Sequence, residues 1–177
     1  MAHFLEPYNC VIQPGHLAYS HEPSVIFTVC GNGLVLTMRD RFKGVGAIAH
    51  CIHPKAKSGE KPTHYHADMA VKSLMKVFGK SQVAHEHRFE AQLIGGGNYR
   101  GVNRARAERT AEAVRKMLKR MKIPLVSEDI GGTLGRKVVF NTSTGETMVL
   151  KTSRIRRSDW LPEMLETQGF ERLAFNR

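Results

Sequence analysis

The chain has 177 residues, of which 41% are hydrophobic and 24% are charged. That balance predicts one globular domain with a substantial core and excludes an intrinsically disordered chain. The three cysteines have no metal-ligand spacing, which favours reduced thiols in the cytoplasm. The start of the sequence lacks the basic and apolar regions of a secretory signal, and no apolar run approaches bilayer length, so we expect no membrane insertion.

The formal net charge of +11 favours partners that are negatively charged. Such a charge is typical of proteins that bind nucleic acid, an acidic membrane surface or an acidic protein. Positions 103–122 hold eight Lys or Arg and two Glu, most simply explained as the solvated face of a helix. Because no aromatic side chains alternate with these charges, the sequence disfavours a platform for single-stranded nucleic acid. A binding face for an acidic protein stays open.

The first third of the chain predicts short strands separated by turns. Residues 1–23 contain three prolines and no hydrophobic periodicity, which predicts an irregular lead with one short strand near 9–13. Short aliphatic and β-branched runs at 25–29, 34–38 and 45–50 predict three strands, with the second and third antiparallel. A polar loop follows at 55–64.

The remainder of the chain predicts two helices and four more strands. An apolar stripe predicts a helix at 65–80, and a second stripe predicts a helix at 103–121 with Asn103 as its N-cap. Strands are predicted at 88–94, 124–129, 137–141 and 146–152, and the turn at 142–145 makes the last two a hairpin.

These elements predict an α/β (α+β) layered sandwich. Mixed, largely antiparallel sheets would pack against at least two long helices. We expect a single domain over residues 24–152, preceded by the lead at 1–23. A C-terminal extension at 153–177 would include a short amphipathic helix at 158–168. The sequence has no feature that fixes an oligomeric state.

The candidate chemistry lies in the loop between the first two predicted strands. Cys30 precedes Gly31, Asn32 and Gly33, whose backbone permits the close approach of a substrate. The third predicted strand ends at His50, near this loop, and a thiol or hydroxyl beside an imidazole is the minimum for nucleophilic hydrolysis. The simpler alternatives are a buried, inert Cys30 and a core or hairpin histidine at position 50.

Other motifs give weaker signals. Two His-x-His pairs, at 64–66 and 85–87, are conceivable metal ligands, but no cysteine has ligand spacing with either pair, so we expect no metal site. The glycines at 95–97 lack the spacing of a dinucleotide fingerprint, and a P-loop is absent. We therefore expect no cofactor.

Several spaced motifs together resemble the chemoreceptor glutamine deamidase (CheD) family. The segment 28–54 resembles the family's run of a Thr, a Gly-Ser-Cys turn, an apolar strand ending in Asp, and a segment ending in His and Pro. The Gly-Gly-Gly-Asn turn at 95–98 and the Ala-Glu-Arg-Thr helix at 107–114 resemble two further family motifs. The stretches 123–132, 135–140 and 144–146 resemble the family's last third, so the resemblance covers about residues 24–152.

The resemblance implies amide hydrolysis at receptor glutamines in bacterial chemotaxis. It assigns the catalytic His to His50 and the catalytic Thr to Thr28, which would orient His50 or the nucleophile. A thiolate would attack the carboxamide, and ammonia would leave with a proton from His50. The backbone of Gly31, Asn32 and Gly33 would bind the oxyanion. The implied partners are chemoreceptor cytoplasmic domains and a chemotaxis phosphatase of the CheC type.

One departure from the family pattern concerns the nucleophile. Counted back from Asp40, the family's Cys falls on Gly33 and its preceding Ser on Asn32. Cys30 is the nearest thiol. Two main hypotheses follow: a deamidase that uses Cys30 with His50, or an inactive relative that binds chemoreceptors or the phosphatase. A basic nucleic-acid-binding domain is a weaker third hypothesis.

Overall fold

The computed structural model describes residues 10–79, 88–101 and 104–160. In these ranges the chain forms nine strands and two α-helices. The strands are β1 (Cys10–Val11), β2 (Leu17–Ser20), β3 (Val25–Cys30), β4 (Leu34–Asp40), β5 (Val45–Cys51), β6 (Phe89–Gly95), β7 (Leu125–Ile130), β8 (Gly135–Asn141) and β9 (Thr147–Thr152). The helices are α1 (Ala67–Val77) and α2 (Arg104–Arg120), and short 3-10 helices span Tyr99–Gly101 and Arg157–Trp160.

The strands form two mixed sheets. One sheet has the order β1-β3-β8-β9, and the other has the order β2-β5-β4-β6-β7. The pairs β1–β3 and β6–β7 are parallel, whereas the other neighbours are antiparallel. The predicted hairpin is present as β8 and β9.

Side-chain alternation along the strands creates three layers. Leu34, Leu36 and Met38 on β4 pack with α1 and α2 in one apolar cluster. Val35, which points to the opposite face of the same strand, packs with residues of the four-stranded sheet in a second cluster. The order is therefore helices, five-stranded sheet, four-stranded sheet, and the predicted layered α+β sandwich is confirmed.

Two predicted elements differ in their bounds. The helix predicted at 65–80 begins at Ala67, because the Tyr65 carbonyl accepts hydrogen bonds from the backbone amides of Ile52 and His53 instead of starting a helix. This helix ends at Val77, short of the predicted Lys80, and Gly79 behind it has a φ of +85°. The helix predicted at 103–121 ends at Arg120, and its predicted N-cap Asn103 lies outside the described residues. Neither described helix is long and apolar enough to cross a membrane.

The two terminal segments join the body of the fold. In the expected lead, β1 adds to β3 and β2 adds to β5, one strand to each sheet. These strands have only two and four residues, too few to produce a recognisable period. At the other end, a 3-10 helix spans Arg157–Trp160, and the rest of the amphipathic helix predicted at 158–168 lies outside the described residues.

Candidate functional site

Thr28 and His50 meet between the two sheets. On β5, Ala47, Ala49 and Cys51 pack in the helix layer, so His50 points to the other side of the sheet. There its Nδ1 lies 3.1 Å from the hydroxyl oxygen of Thr28 on β3. The structure thus brings together two residues that are 22 positions apart in the sequence.

The surroundings of this pair fix the tautomer of the imidazole. The Thr28 hydroxyl donates its one proton to the Ile12 carbonyl at 2.8 Å, so it can only accept from His50. Nδ1 therefore carries the ring proton, and Nε2 has a free lone pair. Burial, followed by the charge of His16, lowers the pKa of His50 from 6.5 to about 3, which keeps the ring neutral at pH 7.

The free Nε2 of His50 points at Gly33. A Cβ added to Gly33 would collide with Nε2 and would lie 2.9 Å from the ring Cδ2 and 3.2 Å from the Cys51 carbonyl oxygen. The imidazole thus fills the space that a side chain at position 33 would need. Glycine at this position is what allows His50 to lie against the backbone of the loop.

The glycine turn after β6 holds this loop in place. The Gly96 amide donates to the Gly33 carbonyl at 2.7 Å. Gly95 has a φ of +109°, and a Cβ there would lie only 2.5 Å from the same carbonyl oxygen. A residue with a side chain would push the loop away, so the glycine motif positions Gly33 beside His50.

Cys30 lies in the core between the sheets. It is fully buried among Ile94, Val138 and other apolar side chains. Burial raises the pKa of its thiol to about 12, although the Arg136 charge lowers it in part. This thiol is protonated at neutral pH and has no contact with solvent.

No thiol is hydrogen-bonded to His50. Within residues 10–79, 88–101 and 104–160, which include all three cysteines, the His50 ring has one hydrogen-bond partner, the Thr28 hydroxyl. Cys51, next to His50 in the chain, donates instead to the Leu34 carbonyl at 3.5 Å, and burial raises the pKa of its thiol to about 12. The site contains an oriented imidazole without a nucleophilic sulfur.

A cleft of about 320 Å³ is lined by Gly33 and by His50, whose side chain is almost fully buried. We call the side of the cleft formed by the loop 31–33 and His50 its floor. The walls combine aromatic, aliphatic and basic residues: Pro14, Ile52, Tyr99, Arg100, Arg106, Ile155 and Trp160. The size and mixed lining suit a side chain with an apolar stem and a polar end.

Sequence reasoning missed most of the cleft walls. Tyr99 and Arg100 directly follow the glycine turn, and this position in the sequence could have indicated that they line the cleft. No sequence pattern indicated Arg106 and Ile155, because their approach to the cleft depends on the packing of α2 and of the C-terminal segment. Trp160 was recognised only as part of an amphipathic stretch.

The first histidine pair is engaged elsewhere. His64 Nε2 lies 3.0 Å from the Ser73 hydroxyl, and His66 Nε2 lies 3.2 Å from a carboxylate oxygen of Glu60. Among the described residues, no group of three or more His, Cys, Asp or Glu is arranged to hold a metal ion. The second pair, at 85–87, lies outside the described residues.

Comparison with known proteins identifies the family. The family model described as CheD chemotactic sensory transduction matches residues 52–151. The "Chemoreceptor glutamine deamidase CheD" of Thermotoga maritima is 38% identical over 146 residues, which cover 80% of this chain and 90% of that protein. The chain belongs to the CheD family. This confirms the family predicted from the spaced sequence motifs.

Further CheD relatives match with similar coverage. The "Probable chemoreceptor glutamine deamidase CheD 2" of Geobacter sulfurreducens is 27% identical over 81% of this chain and 89% of its own length. The "Probable chemoreceptor glutamine deamidase CheD" of Methanosarcina barkeri is 30% identical over 76% of this chain and 91% of its own length. The family model begins two residues after His50, so the description of Thr28, Gly33 and His50 rests on the structure.

Proposed function

We propose that this protein acts on chemoreceptors in the cytoplasm during chemotaxis, and that a receptor glutamine side chain enters the cleft between Gly33 and His50. Membership of a family whose relatives are named chemoreceptor glutamine deamidases supports the substrate class. The observation that carries the proposal is the unprotonated Nε2 of His50, directed at the backbone of Gly33 on the cleft floor. A carboxamide that reaches this floor would place its N–H donors beside that lone pair.

Deamidation assigns a role to each residue of the site. His50 would accept the proton of the nucleophile and later give it to the departing ammonia, while Thr28 holds the ring in one tautomer. Backbone N–H groups of Gly31, Asn32 and Gly33 would bind the oxyanion. Water would then release the glutamate product from the covalent intermediate.

The missing component is the nucleophile. Gly33 has no side chain, and the Cys30 thiol lies in the apolar core with a pKa of about 12. To attack, Cys30 would have to leave that core and lose its proton beside an imidazole whose pKa is lowered to about 3. These features favour glutamine binding without hydrolysis. Hydrolysis through Cys30 is the second candidate, favoured by the intact pair of Thr28 and His50.

The test combines binding and ammonia release with purified cytoplasmic fragments of chemoreceptors. We expect the wild-type protein to bind a fragment containing glutamine at its modification sites and to release no ammonia above background. His50→Ala should weaken binding, whereas Cys30→Ala should leave it unchanged. Ammonia release that is lost in both variants would instead establish Cys30 as the nucleophile. Absence of any binding would overturn the receptor proposal.

A chemotaxis phosphatase of the CheC type is the second proposed partner. The resemblance stated above is its support. If the phosphatase binds at the same cleft, it will compete with the receptor fragment, and His50→Ala will weaken both interactions. Simultaneous binding of phosphatase and receptor would place the phosphatase on another surface.

A further inference from the structure

The strap, as we call residues 153–160, follows β9 and borders the cleft. Ile155 and Trp160 of this segment line the same cleft as Gly33 and His50. The strap follows the portion of the chain that the family model matches. Three separate contacts hold it against the body of the fold.

The first contact fixes Ile155. Its backbone amide donates to the Tyr99 hydroxyl at 2.8 Å. Its side chain fills the space above Gly135, where an added Cβ would come within 2.6 Å of Ile155 Cδ1. The glycine at the start of β8 thus leaves room for the strap to lie close to the sheet.

The second contact is an ion pair between the strap and β8. Lys137 Nζ lies 2.6 Å from Asp159 Oδ1, and the two side chains are only 30% and 11% exposed. The other carboxylate oxygen of Asp159 accepts a hydrogen bond from the Arg156 amide at 2.8 Å. A pair this shielded contributes more than one between fully exposed side chains.

The third contact covers the candidate base. The ring of Trp160 stacks on His50, with centroids 6.3 Å apart and planes inclined by 17°. Such an offset, near-parallel arrangement is a favourable aromatic geometry. His50 is 1% exposed, and Trp160 is one of the side chains that a glutamine would have to displace to reach it.

We propose that the strap closes the cleft over His50, and that a chemoreceptor segment must lift it to reach Gly33. The part concerning the receptor rests on the proposed function, whereas closure of the strap does not. The ion pair of Lys137 and Asp159 acts as the latch. Opening exposes Trp160 and His50 together. Receptor binding is therefore coupled to strap opening, because the receptor binds only the open form.

Trp160 is the only tryptophan of the chain, so its fluorescence reports the strap directly. We expect Lys137→Glu, which places two carboxylates together, to increase acrylamide quenching of Trp160 and to shift its emission to the red. The matched control is Lys137→Asp combined with Asp159→Lys, which reverses the pair and should restore the wild-type spectrum. Tyr99→Phe, which removes only the hydroxyl contact to Ile155, is a milder opening variant. Unchanged quenching in both Lys137→Glu and Tyr99→Phe would overturn the closed strap.

Titration with a tryptophan-free receptor fragment tests the second half of the proposal. We expect Lys137→Glu to bind the fragment about threefold to fivefold more tightly than wild type, because the latch no longer opposes entry. Binding should expose Trp160 in the wild-type protein. Binding with unchanged fluorescence and equal affinity in all variants would overturn gating. If the fragment binds no variant at all, the proposed function fails, while the quenching experiment still decides whether the strap is closed.

Discussion

The two ends of β4 hold two buried polar pairs of different kinds. At the C-terminal end of β4, here called the far end, one oxygen of the Asp40 carboxylate accepts two hydrogen bonds from Arg88 at 2.6 and 2.8 Å. Its other oxygen accepts from the amides of Phe42 and Lys43. At the N-terminal end, here called the near end, the Nδ1 of His50 is bonded to Thr28. The far pair is complete and therefore structural, whereas the near pair leaves one nitrogen free at a cleft.

Removing Arg88 should produce the largest effect on stability. Arg88→Met leaves the fully buried Asp40 without its cation, and we expect a loss of about 3–5 kcal/mol in the free energy of unfolding. Chemical denaturation measures this loss. The double variant Asp40→Asn, Arg88→Met should recover part of it, because no uncompensated charge is left. Equal losses in the two variants would show that packing, and not charge, dominates the far end.

Acid should destabilise the protein through the near end of β4. In the folded state the pKa of His50 is lowered to about 3, so its ring stays neutral above that pH. In the unfolded chain its pKa is 6.5, so the ring takes up a proton below pH 6.5. Its contribution is therefore complete above pH 6.5 and is lost as the pH falls toward 3, by about 3 kcal/mol at pH 4. Unfolding titrations of wild type and His50→Gln at several pH values isolate this effect. If the free energy of unfolding falls with pH equally in wild type and His50→Gln, the result would contradict a buried neutral imidazole at His50.

A methyl group at Gly33 tests how closely the ring approaches the loop. Gly33→Ala would place a Cβ against His50, and we expect a loss of about 1–3 kcal/mol from overpacking. In a His50→Ala background the same change should cost much less, and a double-mutant cycle gives the coupling. Additive effects would mean that the two residues are not in contact.

Loss of the Thr28 hydroxyl should have the smallest effect on stability and a specific effect on the tautomer. Thr28→Val removes the acceptor for Nδ1 and the donor to the Ile12 carbonyl, at a cost of about 1–2 kcal/mol. Nitrogen NMR of the His50 ring should then show a changed tautomer population, while Thr28→Ser should keep the wild-type signal. An unchanged signal in Thr28→Val would show that something else fixes the ring.

The sequence predicted the framework because its elements have clear local signals. The strands that carry Thr28 and His50 are aliphatic runs, and both helices show an apolar stripe with the helical period. The spaced motifs predicted the family. The family pattern placed Gly33 at the position of the nucleophile. It did not predict that the His50 ring lies directly against Gly33.

Other features depend on distant partners and could not be predicted. Asp40 and Arg88 are 48 residues apart and pair only because β4 and β6 are neighbours. Trp160 reaches His50 through the strap, whose path is set by Gly135 and Lys137. The burial of Cys30 depends on packing of the two sheets, which a local pattern does not specify.

The most direct test of the central claim compares Gly33→Cys in a Cys30→Ala background with the wild-type protein. Ammonia release from chemoreceptor cytoplasmic fragments is measured for both, with Gly33→Ala, Cys30→Ala as the matched control for the added Cβ. If position 33 is where His50 meets a nucleophile, the His50 ring will shift to admit the Cys side chain, and this variant will release ammonia whereas the wild type and the control will not. Release by the wild type that disappears on Cys30→Ala and is not restored by Gly33→Cys would contradict the account, because it would place the working thiol at Cys30.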